Sequence, residues 1–141
     1  MTTACDRLAS IAERVAGEVP PHSPRSFLIV LGEQAAGVRT GPLWWADAAR
    51  GGRNHVRGGG FRAEYDDLTT GQVRHFAGTA AVAARVGTRL TRILGTRVLR
   101  DAPDTPDGRL SETALELVTA LRSGRLEPAD VAPWIRARLC A

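Results

Sequence analysis

From Thr70 onward, the apolar and small positions Phe76, Thr79, Val82, Ala83, Val86, Leu90, Ile93 and Leu94 return every three or four residues. That is the period of one helix face, and it predicts a long helix over about 70–94 that weakens near Gly87 or Gly95. Ala77, Gly78, Ala80, Ala81 and Ala84 put small residues on several sides of the segment, so neighbouring helices can approach closely. Upstream, Leu8, Ile11, Ala12, Val15, Ala16 and Val19 form a stripe opposite Asp6, Arg7, Glu13 and Arg14, the pattern of a surface helix from Thr3 to about Glu18.

Pro20, Pro21 and Pro24 then force a turn. Ser23 caps and Pro24 opens a segment running to Ala36, with Gly37 as its stop. The apolar run at 27–31 inside it fits a buried helix or a strand, and helix is favoured. Pro42 to Arg50 reads as a short helix whose adjacent Trp44 and Trp45 point to different sides, one into the core and one partly exposed. Residues 51–60 hold five glycines and predict a mobile loop. Residues 101–108 are turn-rich, and calcium binding there is unsupported by loop spacing. Ser111 caps a helix to Arg122, and a last helix starts around 128–133 and carries Val131, Trp134, Ile135 and Leu139. The expected fold is all-α: one domain spanning 1–141, with five or six helices packed around the 70–94 segment.

Polar chemistry concentrates where that central helix begins. Asp66 and Asp67 precede Thr69 or Thr70 as the N-cap, and Gln72, Arg74 and His75 follow in the first turn. His75 lies on the apolar face, where an imidazole needs partners. In one reading an aspartate caps the helix and His75 bonds a backbone carbonyl in the core. In the other, Asp66 or Asp67 orients one ring nitrogen and the second exchanges a proton with a substrate. Glu33, directly after the apolar run, is a second candidate acid if that run desolvates it. Arg74, Gln72, Asn54, His55 and Trp45 are the candidate substrate-binding residues, the middle pair on a glycine loop able to close over a ligand.

Composition narrows these options. All 19 basic residues are arginine, which excludes Schiff-base and phosphate-loop lysine chemistry and reads mainly as the codon bias of a GC-rich bacterial genome. The net charge of +4 is diluted by 15 interspersed acids, so nucleic-acid binding through Arg85, Arg89 and Arg92 is not expected. No apolar run is long enough to span a membrane, and no basic-then-apolar leader opens the chain. Cys5 and Cys140 are expected as reduced thiols in a cytosol, with a disulfide as the option if the chain ends meet. Two aspartates beside one histidine make a poor metal set, and no GxGxxG follows a strand, so neither a metal nor a cofactor is expected. The resulting expectation is a small cytoplasmic enzyme, a hydrolase or lyase, using a His75/Asp acid–base pair on a small polar or glycan-like substrate. The alternative is a non-enzymatic helical interaction module, with nucleic-acid binding through the arginine face as one form of it. Oligomeric state is not legible.

Overall fold

The computed structural model describes residues 2–95, 102 and 104–141. They form seven α-helices: α1 (Ala4–Ala16), α2 (Pro24–Ala36), α3 (Trp44–Ala49), α4 (Gln72–Val86), α5 (Thr88–Ile93), α6 (Pro106–Arg122) and α7 (Val131–Arg138). Short 3-10 turns at Ala63–Tyr65 and Pro128–Asp130 precede α4 and α7. Among the described residues there is no strand, only an isolated antiparallel bridge between Phe61 and Cys140. The all-α expectation holds, and the 27–31 run is helix, buried within α2.

Local chemistry sets the helix ends. Thr3 and Asp6 close a reciprocal capping box on α1, each side chain accepting the other's backbone N–H at 3.1 Å. Ser23 caps α2, and Gly37 ends it in the left-handed region at φ 67°. α4 packs against α2 on one side and α6 on the other, and α1 packs against α7 and α2. The α2–α4 contact is tight because Gly32 faces Ala81, where an added Cβ would stand 2.3 Å from the Ala81 Cβ.

Several expected boundaries move. The 70–94 helix is interrupted at Gly87, whose φ of 94° and ψ of 158° suit glycine alone, so α5 leaves in a new direction. Leu90, Ile93 and Leu94 therefore leave the buried stripe and are 46%, 40% and 38% exposed. Neither Thr69 nor Thr70 caps α4; its N-cap is Gly71, with no side-chain bond. α6 starts at Pro106 behind the Thr105 cap, six residues before the Ser111 cap expected, because Thr-Pro supplies both a cap oxygen and an N1 proline.

The glycine loop is pinned. Arg53 N–H donates to the Ala36 carbonyl at 2.6 Å, Val56 is buried, and Gly52 and Gly60 lie against Ala36 and Thr3, too close for a Cβ. Its glycines serve close approach as much as freedom. The two cysteines are joined as a disulfide, contrary to the reduced thiols expected, because α1 and α7 pack side by side and bring residues 135 positions apart into contact.

Candidate functional site

A cavity of about 360 Å³ opens between α3, α4, α5 and α6. Its lining is largely apolar, with Val82 and Val86 of α4, Leu115 of α6 and both tryptophans of α3 among the walls. His75, Arg74 and Ser111 contribute polar groups to the same space. Trp44 is half-buried and carries the Arg85 guanidinium 4.9 Å above its ring, while Trp45 is 59% exposed at the cavity edge.

His75 Nε2 lies 3.1 Å from the Asp107 carbonyl oxygen and 2.7 Å from Ser111 Oγ. A carbonyl can only accept, so the hydrogen bond to Asp107 requires that Nε2 carry a proton. Ser111 then accepts from the same N–H and keeps its own hydroxyl proton to donate. Asp107 and Ser111 stand four residues apart on α6, which aligns both oxygens with one ring nitrogen. Beside this pair, Arg92 and Glu112 form a two-point ion pair at 2.7 and 3.0 Å. Arg74 is half-buried on the cavity wall, and its guanidinium has no hydrogen-bond or ion-pair partner among the described residues.

The aspartates do not meet His75. Asp66 Oδ1 accepts from the Leu68 amide at 2.8 Å, and Asp67 Oδ1 accepts from the amide and hydroxyl of Thr69 at 2.9 and 2.6 Å. Gln72 is buried and its Nε2 donates to Asp67 at 3.0 Å and Asp66 at 3.3 Å, closing the turn that feeds α4. Burial pushes the Asp67 carboxyl up, but the Thr69 hydrogen bonds and a contact with the Asp107 side chain outweigh it and hold the group below its ordinary value. Asp67 and His75 thus engage the two ends of Asp107, its carboxyl and its carbonyl.

Of the other candidates, Asn54 donates to the Thr70 carbonyl at 3.2 Å, fastening the glycine loop to the entrance of α4, and its buried Oδ1 has no partner. His55 is exposed near Gly37. Glu33 is exposed and off the cavity wall, so the desolvation expected of it is absent: residues 27–29 and 31 turn inward while residue 33 turns out. Among the described residues, no three His, Cys, Asp or Glu side chains converge as a metal set.

Sequence reasoning missed Ser111, Asp107 and Glu112. The available signal was Thr105-Pro106, which starts α6 early enough to put Asp107 and Ser111 on one helical face. The arginine face is also partly used within the fold, since Arg85 donates to the Thr40 carbonyl at 2.8 Å and Arg92 is paired. No protein-family model, curated protein or solved structure matches this chain.

Proposed function

We propose that the cavity is the working site of a small enzyme in which His75 exchanges a proton with the substrate through the Ser111 hydroxyl, in a hydrolysis or elimination. The observation that carries this reading is the 2.7 Å contact between His75 Nε2 and Ser111 Oγ on the wall of an open, 360 Å³ cavity. In the acid direction Ser111 gives its hydroxyl proton to a leaving oxygen and takes the Nε2 proton of a His75 imidazolium, which becomes neutral. The neutral ring left by this transfer holds its remaining proton on Nδ1. The Asp107 carbonyl faces the same nitrogen and accepts its N–H when Nε2 is protonated. Asp66, Asp67 and Gln72 act as the brace that sets the angle of α4, and Arg74 and Trp45 position the substrate. The rival module reading is weakened because Arg85 gives one donor to the Thr40 carbonyl and stacks on Trp44, and Arg92 is paired with Glu112.

Among the described residues, no helix is long and apolar enough to cross a membrane. The Cys5–Cys140 bridge supports an oxidising surrounding over the reducing cytosol expected from the sequence alone.

The test is a panel of chromogenic esters, amides, phosphoesters and glycosides presented to the wild type, His75→Gln and Ser111→Ala. Turnover by the wild type, reduced about a hundredfold or more in both folded variants, is the expected result. Equal turnover by all three overturns the reading.

A further inference from the structure

Resting on that site but not on its chemistry, we infer that the cavity takes an anionic amphiphile: an alkyl chain of about ten carbons ending in a carboxylate or phosphate. Three features converge on this class.

The first is the length and lining of the space. From His75 to Val86 the cavity follows α4 for eleven helical steps, about 16 Å at the helical rise. His75 and Arg74 lie at the N-terminal end of that line, and Val82 and Val86 lie at the other. If a methylene fills about the volume of a water in the liquid, about 30 Å³, then 360 Å³ holds on the order of ten to twelve carbons. A sugar would strand its hydroxyls against Val82, Val86 and Leu115, whereas an alkyl chain has none to satisfy.

The second is Arg74. Arg74 is half-buried along its stem while its guanidinium nitrogens keep contact with water, and no described residue supplies an anion to them, so the fork is open to a ligand. Its planar fork matches carboxylate and phosphate oxygens two at a time. Arg92, the other cation on the wall, is already neutralised by Glu112 and does not compete for the head group. No side chain caps the N-terminus of α4, so the positive end of its dipole adds to the same pole.

The third is the cavity edge, where Trp45 and Leu94 keep 59% and 38% of their surface exposed beside the opening. Exposed apolar groups around a mouth offer an entering chain a continuous apolar path.

Calorimetric titration of the full chain with alkyl carboxylates of six to twelve carbons, all below micelle formation, tests chain recognition. Affinity should tighten about fourfold per methylene until the cavity is full. Dodecyl phosphate, dodecanol and dodecyltrimethylammonium test the head, with the alcohol and the ammonium expected to bind at least tenfold more weakly than the better anion. Arg74→Gln should erase the head preference and keep the chain-length increment. Thr79→Phe, which fills the cavity, should lose the increment. Equal affinity for all heads, or an undiminished head preference in Arg74→Gln, overturns the inference even if the filled variant fails to fold. Turnover that depends on His75, without any alkyl-anion binding, overturns this inference and leaves the proton-transfer reading standing. Alkyl-anion binding that His75→Gln leaves unchanged, without His75-dependent turnover, upholds the ligand class and removes that reading.

Discussion

Replacing Cys5 and Cys140 together by alanine removes a cross-link that joins positions 135 residues apart. Alanine suits these sites because both side chains are buried, and serine would leave a hydroxyl in need of a partner. On the chain-entropy model a loop of that length restricts the unfolded chain by about 5 kcal/mol. Other contacts hold the same segments together beside the bridge. The Ala141 amide donates to the Gly60 carbonyl at 2.8 Å, Arg62 N–H donates to the Leu139 carbonyl at 2.8 Å, and Leu8, Val131, Ile135 and Leu139 stay buried. The loss therefore falls on the unfolded ensemble, and about 2–5 kcal/mol is expected, lowering Tm by roughly 6–15 °C at about 3 °C per kcal/mol. Urea denaturation followed by tryptophan fluorescence on oxidised wild type, reduced wild type and the double variant reads it out, and the last two should agree. The slope should steepen without the bridge as the unfolded chain expands. Identical midpoints for oxidised and fully reduced wild type would refute the reasoning, as would two titratable thiols in freshly purified protein.

Other substitutions test the packing and the electrostatics. Gly32→Ala places a Cβ 2.3 Å from that of Ala81 and should destabilise by about 1–3 kcal/mol, while Gly78→Ala, whose Cβ meets Ala36 at an ordinary 3.7 Å, should be neutral or gain up to about 1 kcal/mol from helix propensity. Thermal melts of the pair decide this, and equal losses would contradict the close α2–α4 contact. Asp67→Asn tests the turn: because the folded carboxyl sits below its unfolded value near 3.9, its charged form stabilises the fold above about pH 4, and that contribution fades as pH falls through the lower folded value. Being only half-buried, it should contribute under about 1 kcal/mol, and a wild-type advantage over Asp67→Asn that widens below pH 4 would reverse the assigned sign. Arg85→Gln removes the stack on Trp44 and the bond to Thr40 and should cost about 1 kcal/mol in urea midpoint; an unchanged midpoint would make that contact ornamental.

Helix periodicity and punctuation were legible at Ser23-Pro24, Gly37 and the stripe through Phe76 to Val86, because each depends on neighbours within a turn or two. The break at Gly87 was visible only as a weak point, since a single glycine continues a helix as readily as it interrupts one. His75 lies in the first turn of α4 and meets a backbone carbonyl, as one of the two sequence readings had it, but which residues supply its partners was not legible. Asp66 and Asp67 are adjacent in sequence and satisfy the turn, whereas Ser111 and the Asp107 carbonyl reach His75 from α6, 36 and 32 residues away. Contacts at that separation depend on how α4 and α6 pack, which periodicity does not encode. The disulfide stood only as the option to reduced thiols for the same reason, because the meeting of the chain ends depends on how α1 and α7 pack.

The most direct measurement is the long-range proton–nitrogen spectrum of the histidine rings, free and with dodecanoate added. In the free protein His75 Nε2 should carry a proton, and Ser111→Ala should move that nitrogen's resonance. Dodecanoate should shift the His75 ring while leaving His22, which is bonded to Glu18 and Ser26 away from the cavity, where it was. A His75 ring protonated on Nδ1 alone and indifferent to both Ser111→Ala and the ligand would contradict the assignment of this cavity as the place where the protein acts.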